Sequence, residues 1–145
     1  MNRLLITICG RAGSKGFKNK NLKVFCGKPL VYYSLSAAEL FIKNHPELTV
    51  DIALNTDSED LAKLVAAEYP EVVYLPRGAE LGGDRVPKMA VYQDSLRRME
   101  ARAGQPYDWH MDLDITSPLR TAADIAEERG LRCTVGNLLS SDTFY

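Results

Sequence analysis

Apolar positions along this chain fall into two kinds of block. Residues 4–9, 50–54, 72–75 and 109–113 are short runs rich in β-branched and aliphatic side chains. Their length and near-continuous hydrophobicity predict strands covered on both faces. Longer stretches with helical spacing lie between them. Residues 29–43 carry Leu30, Tyr33, Leu35, Ala37, Ala38 and Phe41, with Pro29 in the first turn and Asn44-His45-Pro46 as a stop. Residues 59–69 follow a polar Asn55-Thr56-Asp57-Ser58, in which Ser58 or Asp57 can cap the helix; Leu61, Leu64 and Val65 fit its period in part. Residues 88–103 carry Met89, Val91, Tyr92, Leu96 and Met99, and a further helix is expected over 121–129.

Strand and helix alternate four times. That order predicts an α/β fold: a Rossmann-like three-layer α/β/α sandwich around a mostly parallel sheet, with ligands at the carboxyl ends of the strands near a topological switch point. Residues 1–130 read as one nucleotide-binding domain. Residues 131–145 read as a tail without a clear period, with at most a short strand at 132–135. The loops at 10–21, 76–87 and 114–120 all leave strand carboxyl ends, so they are expected to share one rim.

Composition narrows the class. The chain has 145 residues, 46% of them hydrophobic and 26% charged, the profile of a globular domain. The early apolar run is far short of the roughly 20 residues a membrane span needs, and Gly10-Arg11 interrupts it where a leader would continue. The expectation is a cytoplasmic protein without a membrane partner. Cys9, Cys26 and Cys133 have neither CxxC nor zinc spacing, and they read as ordinary packed or surface thiols.

Charge changes the picture more. The net formal charge is −1, yet residues 1–38 hold Arg3, Arg11, Lys15, Lys18, Lys20, Lys23 and Lys28 and no acid. A nucleic-acid reader would carry such charge over a whole face; confined to one region, it suits a compact anion. The loop Gly10-Arg-Ala-Gly-Ser-Lys-Gly-Phe-Lys-Asn-Lys-Asn21 has the chemistry for a polyphosphate. Its glycines allow backbone N–H groups to approach an oxyanion. Arg11 offers a planar fork, Lys15 and Lys20 offer point charges, Ser14 a hydroxyl donor, and Asn21 a donor and an acceptor for a ribose or base edge. The glycine spacing fits neither a P-loop nor a dinucleotide fingerprint.

These residues carry a resemblance. Arg11, Ser14-Lys15-Gly16 and Lys20-Asn21, followed in order by Asn55-Thr56-Asp57, Arg77-Gly-Ala-Glu-Leu81 and Thr116-Ser-Pro-Leu-Arg120, are similar to the ordered motifs of the acylneuraminate cytidylyltransferases and their legionaminate and pseudaminate relatives. The resemblance runs from residue 4 to about residue 126. It implies a fold of the nucleotide-diphospho-sugar transferase type. It also implies an enzyme that transfers CMP from CTP to a nine-carbon 2-keto sugar acid, releases pyrophosphate, uses Mg²⁺ and pairs as a homodimer.

Carried over residue by residue, the resemblance puts Arg11, Ser14, Lys15 and Lys20 on phosphates, Arg11 and Lys20 in the catalytic role, and Asn21 and Arg77 on the nucleoside. The position that is usually Gln in sialate enzymes is Asp114 here, a carboxylate suited to the nucleotide site and to magnesium. Asp112 stands two residues earlier, on the same strand face by period, so a carboxylate pair is conceivable. Family members continue well beyond residue 145, and the expectation is a shortened form. A nucleotide-binding module without turnover is the other reading these residues support.

Overall fold

The computed structural model describes residues 3–11, 20–81, 86–115, 121 and 123. Its centre is a sheet of four strands: β1 (Arg3–Gly10), β4 (Thr49–Thr56), β5 (Val73–Pro76) and β6 (Trp109–Asp112). All three pairings are parallel and the spatial order is β5-β4-β1-β6. Among these four, the first in chain order sits between the second and the fourth. The direction of winding therefore reverses at the β1/β6 boundary, and the crevice outside their carboxyl ends is the switch point of the sheet.

Strand β1 shows why the sheet is buried on both faces. Leu4, Ile6 and Ile8 enter one apolar cluster with Ile52, Leu54 and Met111, against Val31, Leu35, Ala38 and Phe41 of α1 (Leu30–Asn44) and Leu61 and Val65 of α2 (Glu59–Glu68). Leu5 enters a second cluster with Ala53, Leu75 and Tyr107, against Leu96 and Met99 of α3 (Lys88–Ala103). Successive side chains of one strand thus feed opposite layers, and the helices lie two on one face and one on the other. Ser58, not Asp57, caps α2, its hydroxyl accepting from the Leu61 N–H at 3.2 Å. Gly104 ends α3 in the left-handed region at φ 68°, where glycine carries no Cβ penalty.

The predicted elements hold with edge shifts of a few residues. Pro29 stands just before α1 rather than within it. Of the helix expected over 121–129 only Thr121 and Ala123 are described, Ala123 in helical conformation, and the rest of it and the tail lie outside the described residues. One element escaped the pattern. Between the basic loop and α1 the chain forms a small antiparallel hairpin, β2 (Val24–Phe25) with β3 (Lys28–Pro29). Its two turn residues, Cys26 at φ 50° and Gly27 at φ 82°, both lie in the left-handed region, as a tight two-residue hairpin of this kind requires. Glycine supplies that conformation freely. Cysteine does not, and hence the turn has no Asn-Gly or Asp-Gly signature to read. Tyr33 holds the hairpin to α1, donating its hydroxyl to the Phe25 carbonyl, with the two rings edge to face at 5.8 Å.

Candidate functional site

Parallel pairing brings the carboxyl ends of β5, β4, β1 and β6 to one rim, and four expected site residues arrive there with them. Arg11 follows β1, Arg77 follows β5, and Asp114 lies two residues past β6. Asn21 returns to the end of β1 from a turn of 3₁₀ helix at Lys20–Leu22 and donates its Nδ2 to the Arg11 carbonyl at 3.1 Å. The close approach needs Gly10. A Cβ there would lie 3.0 Å from Asn21 Nδ2 and 3.1 Å from both Ile115 Cδ1 and Leu61 Cδ2. Asn21 therefore fixes the backbone from which the Arg11 side chain departs, a positioning role that its sequence reading as a nucleoside contact did not include. Ser14 and Lys15 lie outside the described residues, as does the side chain of Lys20.

Arg77 is held at three points. Its N–H donates to the Thr56 carbonyl at 2.9 Å, Nε to Asn55 Oδ1 at 2.9 Å, and Nη2 to the Asn55 carbonyl at 2.9 Å. Asn55 is fully buried, and its Nδ2 donates onward to Asp94 Oδ2 at 3.0 Å and Ser95 Oγ at 2.9 Å on α3. One amide thus couples the end of β4, the first residue after β5 and the middle of α3. A serine hydroxyl in place of Asn55 would be too short and have too few groups to make these bonds.

A second network on the α3 side of the sheet was not anticipated. Thr7 donates to Asp112 Oδ1 at 2.8 Å and lies 2.9 Å from His110 Nε2. A threonine hydroxyl has one proton, and Asp112 receives it, so the imidazole contributes its Nε2–H to Thr7. Tyr92 completes the set, donating to Asp112 Oδ2 at 3.1 Å, with its ring 5.1 Å from that of His110. Burial pushes the Asp112 carboxyl up, while bonds from Thr7, Cys9 and Tyr92 and the charge of Lys88 pull it down. Burial also pushes the Cys9 thiol well up, and the Asp112 carboxylate adds to this. The sequence did hold a signal. Thr7 and Cys9 in β1, and His110 and Asp112 in β6, are polar positions at period two in strands otherwise read as apolar.

The two carboxylates near β6 do not form the pair their spacing suggested. The strand ends at Asp112, whose two oxygens are turned to Thr7 and Tyr92. Asp114 lies beyond the strand, is exposed, and accepts at its backbone carbonyl from Ser34 Oγ at 3.2 Å. Past the end of β6 the strict alternation that placed them on one face no longer applies.

This chemistry gives one direct expectation for the thiols. Cys9 is kept protonated and largely enclosed, whereas Cys26 is exposed at the hairpin turn. Because the thiolate is the reactive form and access limits its attack, alkylation of the folded protein at pH 8, mapped cysteine by cysteine, will label Cys26 roughly tenfold or more faster than Cys9. Adding denaturant will equalise the two. Equal rates in the folded protein would contradict the enclosure of Cys9.

Comparison with known proteins bears on the same rim. A family model described as cytidylyltransferase matches residues 5–95. The chain is 38% identical over 125 residues to post-translational flagellin modification protein B of Campylobacter coli, covering 86% of this chain and 51% of that protein. It is 37% identical over 118 residues to the CMP-N,N'-diacetyllegionaminic acid synthase of Campylobacter jejuni, covering 81% and 48%. Among solved structures, CMP:2-keto-3-deoxy-manno-octonic acid synthetase complexed with CTP superposes with a TM-score of 0.62 at 17% identity, over 87% of this chain and 45% of that one. A cytidylyltransferase from Leptospira borgpetersenii superposes with a TM-score of 0.63 at 14% identity, over 90% and 49%. The structural likeness shows a shared fold, and the chain spans about half the length of these relatives.

Proposed function

The chain belongs to the cytidylyltransferase family, and from that premise we propose that its rim binds CTP and serves transfer of CMP to a nine-carbon 2-keto sugar acid. The observation that carries this is that Arg11, Asn21, Arg77 and Asp114 all lie on the carboxyl-end rim of the parallel sheet, the rim that holds the switch point between β1 and β6. The likeness to the CMP-N,N'-diacetyllegionaminic acid synthase supplies the acceptor class. In the reaction, the anomeric hydroxyl of the sugar acid loses its proton to water and attacks the α-phosphorus, a new P–O bond forms, the bond to the β-phosphate oxygen breaks, and pyrophosphate leaves. Such a transfer asks the protein to position the phosphates and to balance their charge.

Arg11 supplies the fork that grips phosphate oxygens, on a backbone that Asn21 holds in place. Ser14, Lys15 and Lys20 join it from the same loop. Asn55 fixes the orientation of Arg77, whose guanidinium edge faces the nucleoside in this reading. Asp114 is the residue suited to magnesium. Asp112 is not, because both its oxygens are engaged within the protein. Among the described residues no three His, Cys, Asp or Glu side chains gather as a metal cage. One exposed carboxylate, completed by phosphate and water, is how Mg²⁺ is usually held. When bound, the ion would neutralise charge on the phosphates. We place the activity in the cytoplasm, in keeping with the free thiols of Cys9 and Cys26. Among the described residues no helix is long and apolar enough to cross a membrane.

Titration calorimetry with CTP, UTP, ATP and GTP in the presence of Mg²⁺ tests the nucleotide, and pyrophosphate release with sialic or legionaminic acid tests the transfer. CTP is expected to bind at least tenfold more tightly than the others, the effect of about one well-made hydrogen bond set. Equal affinities would overturn the nucleotide assignment. Tight CTP binding without pyrophosphate release would keep the site and remove the transfer.

A further inference from the structure

A separate cavity of about 380 Å³ opens on the outer surface of the helical layer, lined by Gly27, Lys28 and Pro29 of the hairpin, Tyr32, Tyr33 and Ser36 of α1, and Glu68 and Tyr69 at the end of α2. None of its lining residues belongs to the strand ends that carry Arg11, Arg77 and Asp114. Its volume is that of a small-molecule site.

Three tyrosines wall it, and two of them are fixed by bonds outside the lining. Tyr32 donates its hydroxyl to the Leu64 carbonyl at 2.6 Å, and Tyr33 donates to the Phe25 carbonyl. The rings of Tyr32 and Tyr69 meet edge to face at 5.4 Å. Two of the three phenol protons are committed to backbone carbonyls, so Tyr32 and Tyr33 offer ring surface and oxygen lone pairs to a ligand, while Ser36 and Lys28 supply the donors of the lining.

The surroundings are negative. Glu68 borders the cavity and acts on both Tyr32 and Tyr69, whose phenols are raised first by burial and then by these carboxylates. Glu39 and Glu71 also act on Tyr69, and burial followed by the neighbouring Glu71 raises the Glu39 carboxyl. The last carbonyls of α2 point the same way and add the negative end of its dipole. Among the described lining residues one cation opposes them, Lys28 on the hairpin side.

We propose that this cavity binds a small alkylated ammonium compound, with the tyrosine faces around the methyl groups and Glu68 compensating the charge. Aromatic walls plus a carboxylate recognise such a cation because a ring face is negative, while an alkylated nitrogen has little hydration to lose. The assignment stands independently of the CTP reading.

Choline and its uncharged isostere 3,3-dimethylbutan-1-ol, titrated into the ¹⁵N-labelled protein and followed by amide shifts of Gly27, Ser36 and Tyr69, test it. Choline should saturate with a midpoint on the order of millimolar, as a ligand of few atoms does, and the alcohol should bind about tenfold more weakly. Two exposed substitutions should move the choline midpoint in opposite directions: Glu68→Gln weakens binding about threefold or more, and Lys28→Gln strengthens it about twofold. Unchanged CTP binding in both variants keeps the two sites distinct. No saturable shift, equal midpoints for choline and the alcohol, or midpoints indifferent to both substitutions would overturn the proposal.

Discussion

Replacing Arg11 by alanine is expected to weaken CTP binding about 10- to 100-fold while leaving the fold intact. The magnitude follows from what the side chain would do. Hydrogen bonds to a charged partner contribute about 1.5–3 kcal/mol, and each 1.4 kcal/mol is tenfold in affinity. The bond that ties Asn21 to this loop survives the change, because Asn21 Nδ2 bonds the Arg11 carbonyl, which alanine retains. Arg11→Lys should recover only part of the loss, since a point charge restores attraction without the two-pronged geometry. Lys20→Ala should cost less, about tenfold, as removal of a single flexible charge. The measurement is calorimetric affinity beside a melting curve for each variant. If Arg11→Ala binds CTP as the parent does, with an unchanged melting temperature, the phosphate assignment is wrong and the basic loop serves another anion.

Much of this architecture was legible before any coordinate. The four buried strands announced themselves because parallel strands covered on both faces leave almost no polar interruption, and the boundaries of α3 came out as read. What the pattern missed was short or polar. The hairpin between β2 and β3 has two residues on each side, too few for periodicity to register, and its turn places a cysteine where asparagine or aspartate would have been the signal. The site was legible at the level of residue type: a basic glycine loop after the first strand, an arginine after the third strand of the sheet, and an acid after the fourth. The supports of that site were not. Asn55 looked like one letter of a motif, and only the fold shows it spanning Arg77 and α3. Thr7 and His110 sit in strands read for their hydrophobicity, and Asp112 was read only as a possible partner of Asp114. A side chain's partners more than 100 residues away are a property of sheet register, which spacing within one strand does not encode.

Asn55→Ala should be the most destabilising single change near the site, at about 2–4 kcal/mol. Alanine removes the acceptor of Arg77 Nε and the donor shared by Asp94 and Ser95. Each buried group left without a partner costs about 1–3 kcal/mol, but part of the loss is contained. Arg98 still donates to Asp94, and Ser95 still donates to the Val91 carbonyl. The melting temperature should fall by roughly 5–15 °C for a domain of this size. Asn55→Asp will not rescue it. One oxygen can still accept from Arg77, yet the other then faces the Asp94 carboxylate where an N–H stood, and like charges in a buried setting repel. Stability alone would not separate a structural role from a role in orienting Arg77, so the decisive measurement is a double-mutant cycle with Arg77→Ala, read in both melting and CTP affinity. If Asn55 acts on nucleotide binding through Arg77, its effect on CTP affinity should largely vanish once Arg77 is already alanine, a coupling of about 1–3 kcal/mol between residues in direct contact. Additive losses in CTP affinity would show that Asn55 only holds the end of β4, and that Arg77 faces the nucleotide without its help.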